Sequence, residues 1–145
     1  MTRIVHLHDS FAVAGQLTSG DFADLAAQGF KSVICNRPDG EESAQLSAHQ
    51  ASVHAAAAGL QFLHLPLMMS DALDPAAAYA TRDAISNLPG PILAYCRSGT
   101  RSAVAWAAAT SQTEPVATVM SALHKADFDL PGLAEELEAR QSQRG

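Results

Sequence analysis

Short runs of apolar residues alternate along most of the chain with longer, alanine-rich stretches. The apolar runs have the length of strands, whereas the alanine-rich stretches have a helical period and end at glycine or proline. Strands that are separated by helices are joined by crossover connections, which make the strands parallel. The pattern therefore predicts an α/β fold in which helices cover both faces of a mainly parallel sheet. Strands are predicted over residues 4–7, 11–14, 31–35, 61–68 and 92–95, and helices over residues 18–28, 46–58, 75–88, from 101 onwards, 114–125 and 130–140.

The length of 145 residues is typical of one domain, and 48% of them are apolar, which is enough to build a core. We predict a single domain over residues 1–140 and a frayed tail over residues 141–145. Residues 43–70 contain no Asp, Glu, Lys or Arg, but their polar side chains, Gly59 and Pro66 argue against a membrane span. The first residues also lack the apolar region of a secretory signal. We expect a soluble, cytoplasmic protein without a membrane partner.

Fifteen acidic and nine basic side chains give a net charge of -6 at pH 7. A surface of this sign repels a phosphate backbone, so nucleic acid is not an expected partner. The two cysteines, Cys35 and Cys96, are too few for a disulfide framework. Cys35 ends an apolar strand and is predicted to be a buried, inert thiol, although pairing with Cys96 stays open.

The histidines do not predict a metal site. His6 and His8 point to one face of a strand, but no third ligand lies in phase with them, because the other histidines are scattered over other elements. No metal and no cofactor is therefore predicted. The segment from Arg37 to Glu41 is interpreted first as a turn with a solvated cluster of charges.

The most informative segment joins the last predicted strand to an alanine-rich helix, at the sheet edge where such folds bind ligands. In this segment Gly99 allows the backbone to curl, so that successive N–H groups converge on one point. These groups and the guanidinium of Arg101 favour the thiolate of Cys96, which is the nucleophilic form. The planar fork of Arg101 can also hold two oxygens of an oxyanion. Cys96 and Arg101 are the candidate catalytic residues, and Arg97, Ser98, Gly99, Thr100 and Ser102 are the candidate substrate- and anion-binding residues.

The spacing of the two catalytic candidates selects between reactions. Four residues separate Cys96 from Arg101, whereas five separate the two residues in tyrosine and dual-specificity phosphatases. A smaller ring with one fewer amide suits one bound sulfur atom better than the three oxygens of a phosphoryl group. The spacing favours a sulfurtransferase in which Cys96 takes sulfur from thiosulfate or a low-molecular-weight persulfide and passes it to a thiol acceptor.

Residues 96–102, Cys-Arg-Ser-Gly-Thr-Arg-Ser, resemble the C-R-S-G-x-R-S loop of rhodanese sulfurtransferases. Gly15-Gln16, residues 29–41 and His64-Leu65-Pro66 instead resemble a small bacterial family, the beta-lactamase-hydrolase-like protein, phosphatase-like domain. Members of this family are also described as sulfur transferases. The similarity covers residues 11–133 and implies a cysteine-phosphatase-like, three-layer α/β/α fold with a central sheet of four to five strands.

The resemblance implies roles for individual residues. Cys96 matches the nucleophile and Arg101 the anion-binding arginine, and Asp71 lies where the phosphatases carry their general acid. The resemblance also hints that Arg37 borders the anion pocket. Tyr95 replaces the histidine that usually precedes the nucleophile, which argues against full phosphatase activity. The alternatives are therefore a phosphatase that acts on a phosphorylated substrate through a phosphocysteine, with Asp71 as the acid, and a non-catalytic binding or redox-sensing domain. Asp71 could equally be an ordinary loop carboxylate.

Overall fold

The computed structural model describes residues 2–144, with side chains as far as Ser142, and is built around a five-stranded sheet. β1 and β2 form an antiparallel hairpin, and every other pair of neighbouring strands is parallel. The prediction of a mainly parallel sheet in an α/β fold is confirmed. The strands are β1 (Ile4–His8), β2 (Phe11–Ala14), β3 (Ser32–Cys35), β4 (Gln61–His64) and β5 (Ile92–Tyr95), in the spatial order β1-β2-β5-β3-β4.

Helices cover both faces of this sheet, as the three-layer prediction requires. One core cluster joins α1 and α2 to the sheet, and a second joins α3, α4, α5 and α6 to the opposite face. No helix within residues 2–144 is long and apolar enough to cross a membrane. The helices are α1 (Asp21–Ala27), α2 (Ala48–Ala57), α3 (Pro75–Asn87), α4 (Thr100–Thr110), α5 (Val116–Lys125) and α6 (Leu133–Arg144), and a short 3-10 turn (Met69–Asp71) precedes α3.

The central strand β5 explains why two clusters form. Its side chains alternate between the faces, so that Ile92 and Ala94 join the cluster under α3 to α6, and Leu93 and Tyr95 join the cluster under α1 and α2. All four residues are at most 2% exposed. A strand that is buried on both faces is apolar throughout, which is the pattern seen in the sequence. The segment after Tyr95 therefore starts from a well-packed strand.

Local sequence signals place the starts of α2 and α3. Ser47 caps α2 by accepting the Gln50 N–H at 3.1 Å, and the Gln50 side chain accepts the Ser47 N–H at 2.9 Å. This reciprocal capping box satisfies two N–H groups that the helix leaves unpaired. Pro75 begins α3 directly after Asp74, as predicted, but the Asp74 side chain makes no capping hydrogen bond.

Most elements begin or end within three residues of their predicted bounds, but β4 and α6 each differ by four residues at one end. β4 ends at His64 and not at residue 68. The Leu65 N–H still bonds the carbonyl of Cys35, the last residue of β3, at 2.8 Å, but the Leu67 N–H bonds the Asn36 carbonyl at 2.9 Å, so the regular register is lost there. At the other end of the chain, α6 continues to Arg144 through the expected tail, where the Gln141 side chain donates to the Ser111 carbonyl at 2.6 Å. Gly145 lies outside the described residues.

Candidate active site

The thiol of Cys96 lies directly beyond the central strand. The backbone N–H of Cys96 donates to the carbonyl of Ala14 at 3.3 Å, which continues the pairing of β5 with β2 by one residue. The residue is fully buried. Its sulfur nevertheless accepts a hydrogen bond from the Gly99 N–H at 3.1 Å, so a loop amide points at the sulfur as predicted. The sulfur therefore lies at the bottom of the loop, with no exposed surface of its own.

The loop meets α4 at Gly99, which adopts a left-handed conformation with φ of 93°. This conformation is accessible to glycine at little cost and turns the chain sharply into the helix. The first-turn N–H groups of Thr100, Arg101 and Ser102 have no preceding helical turn to bond. The first turn of α4 also carries no acidic residue, and Gly99 provides no side-chain cap. The positive end of the helix is thus open to an anion beside Cys96.

The end of β2 supports the outside of this loop. The Gln16 N–H donates to the Arg97 carbonyl at 3.2 Å. A Cβ atom on Gly15 would lie only 2.9 Å from that same oxygen, so the backbones approach too closely there for a larger residue. Gly15 and Gln16 therefore pack against the backbone of Arg97, the residue that follows Cys96.

Arg101 is held in place by a carboxylate from a distant part of the chain. Its Nη1 and Nη2 donate to the two carboxylate oxygens of Glu41 at 2.8 and 2.7 Å, and Nη1 also donates to the Leu67 carbonyl at 3.1 Å. A guanidinium has five N–H groups, so these contacts leave the Nε–H and one Nη2 N–H on its other edge. That edge is a two-pronged donor suited to an oxyanion.

Glu41 and Arg101 each shift the pKa of the other in the direction that favours its charged form. The hydrogen bonds from Arg101 and then from Arg37 lower the pKa of Glu41 from 4.5 to about 2. In return, the hydrogen bond to Glu41 is the largest cause that raises the pKa of Arg101, and the nearby Cys96 sulfur contributes less. Arg101 is thus a fixed cation beside the sulfur.

A second arginine, Arg37, anchors the segment that carries Glu41. Its side chain is only 2% exposed, and its nitrogens donate to Glu41 at 2.9 Å, to Gln16 at 3.0 Å and to Glu42 at 2.7 Å. Burial alone would lower the pKa of Arg37, but the bonds to Glu41 and Glu42 outweigh it and raise the pKa. The interpretation of this segment as a solvated cluster is therefore wrong for Arg37.

The other loop candidates have distinct positions. Arg97 is 69% exposed and pairs with Glu42 at 3.1 Å, and the Ser98 hydroxyl donates to Thr100 at 3.3 Å. The Ser102 hydroxyl is buried and donates to the Asn36 side chain at 2.9 Å. Because its single O–H is used in this bond, Ser102 can offer an anion only its N–H.

Asp71 lies in the connection between β4 and α3. Its N–H donates to the Met68 carbonyl at 3.0 Å within the 3-10 turn, and its side chain is exposed. The same connection provides the Leu67 carbonyl that binds Arg101. Asp71 therefore lies four residues along the chain from a direct contact with the anion-binding arginine.

Cys35 is a free, buried thiol, as is Cys96. It packs with Tyr95 in the cluster on the α1 and α2 face. Burial is the main cause that raises the pKa of Cys35, and burial likewise raises the pKa of the Tyr95 hydroxyl. The replacement of the usual histidine by Tyr95 thus places a neutral phenol in the core.

The histidines of β1 are engaged in contacts of their own. His6 stacks on Phe30 with ring centroids 6.0 Å apart, and His8 Nδ1 lies 3.0 Å from the Ser10 hydroxyl. Across residues 2–144, no group of three or more histidine, cysteine or acidic side chains could hold a metal ion.

The fold and this loop together define a protein of the cysteine-phosphatase-like class. The family described as beta-lactamase hydrolase-like protein, phosphatase-like domain, matches residues 3–113, and the chain belongs to this family. Beta-lactamase hydrolase-like proteins of Agrobacterium fabrum and Xylella fastidiosa are 36% and 33% identical over 99 and 105 residues. These matches cover 68% and 72% of the chain but only 23% and 24% of the relatives, so the chain spans about a quarter of their length.

Solved structures agree with this assignment. A candidate phosphatase of Neisseria meningitidis has a TM-score of 0.83 and 31% identity, over 94% of this chain and 96% of that one. The kinase associated phosphatase has a TM-score of 0.68 and 11% identity, over 99% and 94% of the two chains. P. aeruginosa TpbA, solved in complex with pTyr, has a TM-score of 0.56 and 14% identity, over 94% and 80%. The last two similarities concern the fold alone. The resemblance to the beta-lactamase-hydrolase-like family, stated from the sequence, is confirmed.

Proposed function

We propose that the protein is a cysteine-dependent phosphatase that hydrolyses phosphate monoesters. The observation that carries this proposal is the Gly99 N–H on the Cys96 sulfur at 3.1 Å, beside an arginine that keeps one pair of donors beyond its bonds to Glu41 and Leu67. The likeness to proteins described as phosphatases supports this reaction over the sulfur transfer that the loop spacing favours. The phosphorylated substrate is thus the proposed partner of the site.

In the first step, the Cys96 thiolate attacks phosphorus and a P–S bond forms. The free edge of Arg101 and the N–H groups of residues 97–102 hold the phosphoryl oxygens as their charge develops. The P–O bond to the leaving group breaks, and the carboxylic acid of Asp71 donates a proton to the departing oxygen. The products are the free alcohol and a phosphocysteine.

In the second step, water attacks the phosphocysteine. The Asp71 carboxylate, which lost its proton in the first step, takes one from the water. The P–S bond breaks, inorganic phosphate leaves and the Cys96 thiolate is restored. Exposure of Asp71 gives its carboxyl access to both the leaving group and water.

Sulfur transfer remains a second candidate because of one feature of the loop. Four residues, and not five, separate Cys96 from Arg101. In this reaction the thiolate attacks the outer sulfur of thiosulfate, the S–S bond breaks, and sulfite leaves. An acceptor thiolate then attacks the outer sulfur of the Cys96 persulfide, which restores the Cys96 thiolate.

A paired turnover assay tests the proposal. The protein is supplied with an aryl phosphate, and in parallel with thiosulfate and a thiol acceptor. We expect release of phosphate that is lost in Cys96→Ser, retained in the control Cys35→Ser, and slowed in Asp71→Asn. Sulfite release without phosphate release would replace the first candidate by the second. Turnover of neither, or phosphate release that survives Cys96→Ser, would overturn the proposal.

A further inference from the structure

Two large apolar side chains are exposed side by side in the connection between β4 and α3. Met68 is 53% exposed and Met69 is 50% exposed, and we call this pair the methionine rim. Single exposed apolar residues are common on protein surfaces, but adjacent ones often mark a binding site. Both rim residues precede the proposed acid Asp71 within the same short segment.

The rim is attached to the anion site on one side. Leu67, directly before the rim, is 6% exposed, and its carbonyl accepts from Arg101 Nη1 at 3.1 Å. The Leu67 N–H donates to the Asn36 carbonyl at 2.9 Å, which ties the segment to the end of β3. These bonds fix the start of the rim next to the guanidinium that would hold the phosphoryl group.

The rim is attached to the proposed acid on its other side. The Asp71 N–H donates to the Met68 carbonyl at 3.0 Å, and the 3-10 turn begins at Met69. An acid that protonates a leaving oxygen lies within hydrogen-bond reach of that oxygen. The group attached to the oxygen must then lie close to the segment that carries both methionines.

The charges on this side of the loop are already matched. Arg101 pairs with Glu41, Arg97 pairs with Glu42, and Arg37 pairs with both carboxylates. Across the loop, Arg3 shares a cavity of about 320 Å³ with Asp127, Ser98 and Gly99. A second anionic group on a substrate would therefore have to displace a carboxylate to reach Arg37, Arg97 or Arg101, whereas Arg3 makes no ion pair within residues 2–144.

From these contacts we infer that the methionine rim binds the leaving group, and that the substrates are phosphate esters of apolar, aromatic alcohols. This inference rests on the proposed function and adds its substrate class. Thioether side chains are flexible and make favourable contacts with aromatic rings, so the rim can fit a flat leaving group. The phosphate itself is held by Arg101 and the loop amides, which do not involve the rim.

Two phosphonates measure binding to the rim and binding to the anion site without catalysis. Their P–C bond is not hydrolysed, so their inhibition constants do not depend on the departure of a leaving group. Competitive inhibition is measured for naphthylmethylphosphonate and methylphosphonate, against any phosphate ester that the protein hydrolyses. The rim variant is Met68→Gln with Met69→Gln. The matched control is Val53→Gln on α2, which removes another apolar side chain that is 55% exposed.

We expect the naphthyl compound to bind the unaltered protein more tightly than methylphosphonate, by about tenfold or more. The rim variant should lose most of this advantage while its inhibition constant for methylphosphonate stays within twofold, and Val53→Gln should change neither value. Equal binding of the two phosphonates, or an advantage that survives in the rim variant, would overturn the inference while leaving the phosphatase proposal intact. Failure to hydrolyse any phosphate ester would overturn the phosphatase proposal and the inference with it.

Discussion

The carboxylate of Glu41 binds the guanidinium of Arg101 through both of its oxygens, at 2.8 and 2.7 Å, across 60 residues of sequence. The contact uses one edge of the guanidinium and leaves the other edge available. It also limits the conformations of a long side chain that has a large rotamer entropy when free. Glu41 thus serves as a positioning residue for Arg101.

Replacement of Glu41 by glutamine should reduce activity without removing the nucleophile. Glutamine keeps the size of the side chain but loses the charge and one of the two parallel hydrogen bonds. We expect kcat/KM for an aryl phosphate to fall by about tenfold to a hundredfold, because a misplaced binding group is costly in the transition state. The matched control is Glu42→Gln, which removes a carboxylate that bonds Arg37 and Arg97 but not Arg101. An equal loss in both variants would refute a specific role for Glu41.

The same carboxylate should make stability depend on pH. The pKa of Glu41 falls from 4.5 to about 2 in the folded protein, so the ionised form is favoured by folding. Its contribution is fully present above pH 4.5 and is lost as the pH falls towards 2. Because water screens this partly exposed pair, we expect a contribution on the order of 1 kcal/mol. Urea unfolding of the unaltered protein and Glu41→Gln should differ at pH 7 and converge at pH 2 to 3. A difference that does not change with pH would contradict this account.

Arg37 should be more important for stability than its charge alone suggests. Its buried guanidinium satisfies Gln16, Glu41 and Glu42 at once, and lysine cannot reach all three with a single ammonium group. We expect Arg37→Lys to lower the free energy of unfolding by about 2 to 4 kcal/mol. Arg97→Lys, at an arginine that is 69% exposed, should change it by less than about 0.5 kcal/mol. Denaturant unfolding of both variants measures the difference, and similar values for the two would show that Arg37 is not an anchor.

Two glycine substitutions test the packing behind the loop. A methyl group on Gly15 would lie 2.9 Å from the Arg97 carbonyl, whereas nothing lies within 4 Å of the same group on Gly20. Gly15→Ala should therefore shift the residue after Cys96, lower kcat/KM by about tenfold or more, and destabilise the protein by about 1 to 3 kcal/mol. Gly20→Ala should leave both quantities nearly unchanged. If Gly15→Ala keeps full activity, the support from β2 is not needed.

The local parts of the site were predictable from the sequence. The order of apolar strand, glycine-containing turn and alanine-rich helix is enough to place Cys96 under the N–H groups of a helix start, because each step involves neighbouring residues. The cap of α2 is also local, but the sequence offers both Ser43 and Ser47, and the structure selects Ser47. The ends of β4 and α6 could not be predicted in this way, since a shift of register against the segment after β3 and a side-chain contact with the end of α4 involve residues far apart in the sequence.

The contacts between distant segments could not be predicted. Glu41 and Arg37 lie in a charged segment with the composition of a solvated turn, and only the three-dimensional fold brings them to Arg101. The buried hydrogen bond between Asn36 and Ser102 spans 66 residues. One signal was present, namely an arginine two residues after the end of a buried strand with a glutamate four residues later. Such a pair of residues forms a buried ion pair only when other segments of the chain pack over the end of the strand, and the sequence does not show whether they do.

The most direct test of the central claim is to trap the covalent intermediate on Cys96. The protein is mixed with an aryl phosphate, quenched rapidly, and mapped by peptide mass spectrometry under conditions that preserve phosphocysteine. The account predicts one phosphoryl group on the peptide that contains Cys96, more of it in Asp71→Asn if water attack becomes slower, and none in Cys96→Ser. Phosphate release with an unmodified Cys96 peptide at every quench time, or a phosphoryl group on another residue, would contradict it.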